Sequence, residues 1–210
     1  MDAEPDMTEV VRAKAIAAGA PHVHAATTSA EELQAEPGSF ELIVIGNAFH
    51  RLHRSLVAER SYGWLEPGGC VALCWSTSPW VGPADWQRAL DDLLLRWRDA
   101  LGAAGRVPAG WERARQQDPD RDVLSRAGFE PAGRHEFSAE HHWTTDELAG
   151  HIRSTSFLPP AVLADHAAEF DADLTAELSR YTAGADLTER VGFAYELARK
   201  PAPAPAGTHP

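Results

Sequence analysis

Cysteine is scarce in this sequence. The 210 residues include only two, Cys70 and Cys74. Both fall in one predicted strand, about 13 Å apart, whereas a disulfide needs Cα atoms within about 7 Å, so they cannot pair with each other there. We therefore expect two small buried thiols and a reducing compartment.

Long apolar runs and a leader are also missing. No stretch approaches the ~18 consecutive apolar residues of a membrane span, and no signal peptide opens the chain. These absences predict a cytoplasmic protein with no membrane partner.

Positive charge is the third shortage. Lys and Arg number 19 against 31 Asp and Glu, which gives a formal net charge of −12. A surface this acidic repels phosphate backbones, and the basic residues do not cluster, so we expect no nucleic acid as a partner.

Several signatures of catalysis are absent as well. The sequence contains no Gly-x-Ser-x-Gly nucleophile elbow and no Walker loop. His50 and His53 have the spacing of metal ligands on a helix, but no third ligand completes the set, so we predict no metal site.

The most informative stretch present is Phe40–Arg54. Four apolar residues in a row, Leu42–Ile45, show no alternation, which predicts a strand buried on both faces of a parallel sheet. Gly46 and Asn47 end this run at the carboxyl edge of the strand, the edge where open α/β sheets bind ligands. The two histidines follow immediately, so this corner is the first candidate for a functional site.

Apolar periodicity, capping signals and turn residues predict the remaining elements. We expect a helix that ends at Gly19, a strand over His22–Thr28, a capping box of Ser29 with Glu32, a helix over Ser55–Leu65, a turn at Pro67–Gly69 and a strand over Cys70–Trp75. Further along we expect a helix after Pro83, a short helix over Arg121–Ala127, a strand over Phe129–Ser138, a helix capped by Thr144 and Glu147, helical structure over Pro159–Arg180, and a last antiparallel strand containing Val191 and Leu197.

Two interpretations of residues 76–120 stay open. An amphipathic helix there carries one apolar stripe, and the first interpretation is that this stripe packs on the sheet as core. The alternative is a lid or substrate pocket, because the insert follows the carboxyl end of a sheet strand. Residues 1–200 would form one domain around it, and the alternating Pro and Ala of residues 201–210 predict a disordered tail.

Taken in order, these segments resemble a class I S-adenosylmethionine-dependent methyltransferase of the small-molecule type. The segments that carry the likeness are Asp2–Met7, Ser29–Leu33, Phe40–Arg54, Leu65–Gly69, Thr145–Phe157 and Thr188–Arg199. The resemblance implies an α/β fold with a doubly wound, mostly parallel sheet and an antiparallel C-terminal strand. It also implies S-adenosylmethionine as the cofactor and a small molecule as the methyl acceptor.

The resemblance further implies a set of site residues. Asp2 would hold the ribose hydroxyls, and His50 would lie beside the methyl group, where it could act as a base. Neighbours of the adenine and of the rest of the cofactor would be Ser29, Ala30, Glu31, Asn47, Ala48 and Phe49. Trp75 and Trp80 would enclose an aromatic substrate or the sulfonium. Each residue also has a structural alternative: a helix cap for Asp2, the capping box for Ser29, a hydrogen-bonded structural ring for His50, and core packing for the aromatic residues.

One departure from the family pattern bears on function. The first strand of the family, with its glycine-rich loop, has no counterpart here, and no Gly-x-Gly occurs in the sequence. A start codon assigned too late, a fragment, and a degenerate relative that closes the gap with another chain are each compatible with this expectation. Methyl transfer to a small molecule is the predicted function. The alternative is a non-catalytic protein that acts in assembly or ligand binding, and a homo-oligomer stays open.

Overall fold

A computed structural model of the chain describes residues 1–106, 111–182 and 187–203. Its α-helices are α1 (Pro5–Ala17), α2 (Arg54–Trp64), α3 (Asp85–Ala100), α4 (Trp111–Gln117), α5 (Asp120–Arg126), α6 (Thr145–Arg153), α7 (Pro160–Leu163) and α8 (Ala167–Leu178). Its strands are β1 (Phe40–Gly46), β2 (Leu65–Ser76), β3 (Glu130–Trp143) and β4 (Leu187–Arg199). Short 3₁₀ helices cover Phe49–Arg51, Ala104–Arg106 and Ala164–His166. In these described ranges, no helix has both the length and the apolar content to cross a membrane. Most of the predicted tail, residues 204–210, lies outside them.

The four strands form one mixed sheet in the order β1-β2-β4-β3. β1 and β2 are parallel, as predicted for a strand-helix-strand unit. β4 runs antiparallel to β2, with Thr77 N donating to Gly192 O, and antiparallel to β3, with His142 bonded to Thr188. The prediction of a doubly wound, mostly parallel sheet is therefore wrong, because only one pair is parallel and the sheet is mostly antiparallel. The prediction of an antiparallel C-terminal strand is confirmed.

β1 lies at the edge of this sheet. Leu42 and Val44 are 53% and 59% exposed, and Ile43 and Ile45 are only half-buried. The prediction that both faces of this strand are buried is wrong. A run of apolar residues predicts a strand, but burial depends on neighbours, and no strand within the described ranges pairs with the outer edge of β1.

The predicted Pro-Gly-Gly turn is an irregularity inside β2. Phe40 of β1 pairs with Leu65, whereas Leu42 pairs with Cys70, so β2 carries extra residues at this point. A Cβ on Gly69 would lie 3.0 Å from Glu41 O, so this close approach of two backbones requires glycine. The cysteines follow in β2 as free thiols, half-buried rather than buried.

The amino-terminal segment has less strand than predicted. Helix α1 begins and ends near the predicted residues, with Gly19 in the left-handed region at φ +60°. The strand expected over His22–Thr28 is reduced to one parallel bridge between Asp2 and Thr27. One bridge nevertheless places Asp2 beside the segment that leads to Ser29.

The chain divides into two compact units. The first unit contains Met1–Cys74, Trp111–Arg134 and the described residues from Tyr195 to Pro203. The second unit contains the described residues within Trp75–Gly110 and His135–Ala194.

The second unit has a helical core to which the stripe of α3 contributes. Leu90, Leu93 and Leu94 of this stripe are buried together with Leu148 of α6 and Phe170 of α8. The stripe therefore packs as core, as the first of the two interpretations predicted, but against helices α6 and α8 rather than on the sheet.

Candidate functional site

The corner after β1 has an unusual backbone. Asn47 has φ +47°, a left-handed conformation that few non-glycine residues adopt, and its N–H donates to Cys74 O at 2.8 Å. The 3₁₀ helix Phe49–Arg51 follows directly, with the Phe49 ring buried. Such conformations are retained where the surrounding structure enforces them, and they cluster at functional sites.

His50 is half-buried at this corner. Burial lowers its pKa below the ordinary value, the positive charges of Arg115 and Arg51 lower it further, and Asp120 opposes them. The imidazole is therefore uncharged near pH 7 and can accept a proton.

An ion-pair network around the buried Asp120 lies in the same unit. Asp120 is 5% exposed, accepts hydrogen bonds from Arg54 Nη1 at 3.0 Å and Arg115 Nε at 2.6 Å, and thus has its charge compensated on two sides. Arg54 also bonds Asp118. The network joins the start of α2 to α4 and α5, and fixes one of the cations that act on His50. Sequence reasoning missed Arg115 and Asp120. Asp120 is 66 positions from Arg54 in the chain, and only folding brings the two side chains together.

Asp2 lies just before α1. Its Oδ1 accepts a hydrogen bond from Glu4 N at 2.9 Å, and Glu4 is the N-cap residue of α1, so Asp2 does not cap the helix itself. Its backbone bonds Ala26 O at 3.1 Å and Thr28 N at 3.0 Å. The exposed carboxylate of Asp2 thus lies next to the Thr27–Thr28 segment. Its role at the ribose stays a prediction.

The segment after Thr28 contacts the start of α2. Ser29 Oγ accepts from Glu32 N at 3.2 Å and donates to Glu32 Oε2 at 3.2 Å, so the two residues pair as predicted across a turn, and Ala30 is buried. Glu31 Oε1 accepts from His53 N at 2.8 Å, and Glu31 O accepts from Arg60. The structure thus brings Asp2 next to Thr27. It also brings Glu31 next to His53, three residues after His50.

The two predicted substrate residues, Trp75 and Trp80, belong to the second unit. Trp75 lies near the end of β2, and Trp80 lies in the connection to α3. The Trp80 ring is 5.1 Å from Phe157 and 5.9 Å from His151. The pKa of His151 is lowered by burial and by the nearby His141.

No group of three or more His, Cys, Asp or Glu residues in the described ranges is arranged to hold a metal ion. His53 instead accepts a hydrogen bond from Leu56 N through Nδ1 and caps α2.

Solved structures show what the chain is similar to in fold. A proposed methyltransferase from Bacillus halodurans is 18% identical, with 96% of this chain and 81% of that chain covered and a TM-score of 0.50. A proposed type II methyltransferase from Anaeromyxobacter dehalogenans is 18% identical, with 87% and 74% covered and a TM-score of 0.53. The [4+2]-cyclase SpnF is 16% identical, with 96% and 64% covered and a TM-score of 0.51.

No family model matches the sequence, and no curated protein matches it either. At these identities the comparisons establish an α/β fold that resembles methyltransferases. Because one similar structure is a cyclase, the fold alone does not fix the reaction.

Proposed function

We propose that the first unit binds S-adenosylmethionine and that the chain transfers its methyl group to a small molecule. The observation that carries this proposal is the corner Asn47–His50. A strained backbone at the carboxyl end of a parallel strand delivers an uncharged, half-buried imidazole there. The hydrogen bond between Glu31 and His53 ties the predicted adenine segment to the same region.

The residues present suit the adenosine half of the cofactor. A carboxylate can accept about four hydrogen bonds, and Glu4 N donates one of them to Asp2. The remaining positions on Asp2 could accept hydrogen bonds from the two vicinal ribose hydroxyls. Ser29, Ala30 and Glu31 would meet the adenine, and Asn47, Ala48 and Phe49 would line the remainder. We assign no residue to the methionine end, since the sequence lacks a Gly-x-Gly loop.

The bound cofactor would supply an electrophilic methyl group. His50, held uncharged by burial and two arginines, would accept the proton of an O–H or N–H nucleophile on the acceptor molecule. Placement of the acceptor would supply much of the remaining acceleration.

Calorimetry with S-adenosylhomocysteine tests the binding step. We expect heat of binding for the 210-residue chain, and affinity reduced about tenfold in Asp2→Ala, because a carboxylate bond to a hydroxyl is lost. Asp6→Ala is the matched control, since it removes an exposed carboxylate from α1 and should bind normally. Absence of heat from a folded chain would refute the proposal.

A non-catalytic role in assembly or ligand binding is the second candidate. It is favoured by the missing Gly-x-Gly and by the exposed apolar edge of β1, which a partner or second copy could cover. Sedimentation analysis together with the calorimetry separates the two: a self-associated chain that binds no S-adenosylhomocysteine would support this alternative.

A further inference from the structure

Five aromatic rings of the second unit form a continuous row. In order, the row consists of Phe157, Trp80, His151, Trp143 and His141. Successive ring centroids are 5.1, 5.9, 5.2 and 4.1 Å apart. The rings come from three separate segments, namely the connection after β2, the end of β3, and α6 with the residues that follow it. We call this set the aromatic row.

One side of the aromatic row rests on the core of the second unit. Trp80, Trp143 and Phe157 pack against that core while remaining half-buried. Trp143 Nε1 also donates to the buried Glu189 at 2.7 Å, and the Arg98 guanidinium lies 5.6 Å from the Phe157 ring centre. The rings are therefore anchored on the core and partly exposed to solvent, so their exposed parts are available to contact a flat apolar ligand.

His151 gives the row one polar function at its centre. The ring lies between two indoles, tilted 38° to Trp80 and 44° to Trp143. Burial and the neighbouring His141 favour the uncharged form by lowering the pKa of His151. An uncharged imidazole has one N–H donor and one acceptor nitrogen, and the acceptor nitrogen can take a hydrogen bond from a ligand O–H.

From this geometry we infer that the aromatic row binds a planar aromatic compound whose hydroxyl group donates a hydrogen bond to His151. The inference goes beyond the proposed function, because it concerns binding to the second unit alone. Binding to the row can therefore be measured without any cofactor.

Two probes of equal ring size separate stacking from hydrogen bonding. 2-Naphthol has the hydroxyl donor, and 2-methoxynaphthalene has the same rings without it. We expect the full chain to bind 2-naphthol about fivefold more tightly, the factor that one net hydrogen bond provides.

Three variants locate the binding. His151→Phe keeps an aromatic ring but removes the acceptor, so both probes should then bind with equal affinity. Trp80→Leu should weaken both probes to the same extent. Phe137→Leu is the control, because the exposed Phe137 stacks on the half-buried Phe193 at 5.2 Å outside the row, and its affinities should equal those of the unmodified chain.

Absence of 2-naphthol binding at millimolar concentration would overturn the inference. So would an unchanged preference for 2-naphthol in His151→Phe, or weaker binding in Phe137→Leu than in Trp80→Leu. Because S-adenosylhomocysteine is titrated separately, failure here with intact S-adenosylhomocysteine binding would leave the proposed function standing.

Discussion

The carboxylate of Glu31 accepts a hydrogen bond from the backbone N–H of His53 at 2.8 Å. This bond joins the segment predicted to flank adenine to the start of α2, 22 residues later in the chain. The His50 corner lies three residues before that bond. The two predicted parts of the cofactor site therefore depend on one side chain for their mutual placement.

Removing this carboxylate should weaken cofactor binding. We expect Glu31→Ala to reduce the affinity for S-adenosylhomocysteine about fivefold to tenfold, because a charge-assisted hydrogen bond is lost, and Glu31→Gln to lose less, since its amide oxygen still accepts. Calorimetry measures both affinities. Glu36→Ala makes the same charge change at an exposed position and should bind normally. Equal affinities for all three variants would contradict this account.

Asp120 should be a major contributor to the stability of the first unit. Asp120→Ala leaves Arg54 and Arg115 without their shared carboxylate, and breaking such a buried pair costs about 3 kcal/mol. Urea denaturation followed by circular dichroism measures the change in the free energy of unfolding. The control is Asp85→Ala, whose partner Arg88 is exposed and whose loss should change little. A difference no larger than in the control would show that the network is dispensable.

Adjacent leucines of α3 should differ sharply in the effect of substitution. Leu94 is 2% exposed and Leu95 is 45% exposed. We expect Leu94→Ala to lower the free energy of unfolding by about 2–5 kcal/mol through the cavity it creates, and Leu95→Ala by less than about 0.5 kcal/mol. Thermal and urea denaturation check both values. Similar losses for the two variants would contradict the described core.

The lowered pKa of His50 predicts a pH dependence of stability. The folded chain binds a proton at this ring less readily than the unfolded chain does, because the pKa of His50 in the folded chain lies below the ordinary histidine pKa of 6.5. The contribution of His50 to stability is therefore complete above pH 6.5 and is lost as the pH falls through the lower pKa of the folded state. Titration of the ring signals by NMR should give a midpoint below 6.5, and His50→Asn should remove this part of the pH dependence. A midpoint at or above 6.5 would remove the basis for an uncharged base.

Local signals predicted local structure well. The capping box at Thr144 forms as expected, Ser29 pairs with Glu32 through its hydroxyl, and Gly19 adopts the left-handed conformation that follows α1. Such features are decided within a few residues, so the sequence carries them directly.

Sheet context was not predictable from the same signals. The run Leu42–Ile45 indicates a strand, but its burial depends on which elements surround it, and β1 proves to be an edge strand. The glycines at 68 and 69 indicated a turn, whereas the register of β1 against β2 makes them part of a strand irregularity. Both outcomes are set by pairing partners, which a single sequence does not specify.

The candidate site divides in the same way. The sequence pointed to the residues around Asn47 because a strand end is visible in it, and the aromatic residue Trp80 stood out by type. The segment His151–Phe157 was likewise expected near the substrate, but Asp120 was not singled out, since its importance comes from Arg54, a partner distant in the chain. A search for buried charges or clustered rings needs coordinates.

The most direct test of the central claim is a two-dimensional NMR titration of the ¹⁵N-labelled chain with S-adenosylhomocysteine. We predict shifts of the backbone signals of Thr27–Glu31 and Asn47–His53, with the signals of Leu95 and Phe137 unchanged. Shifts confined to other segments, or none at saturating ligand, would contradict the claim that the first unit binds the adenosine of the cofactor.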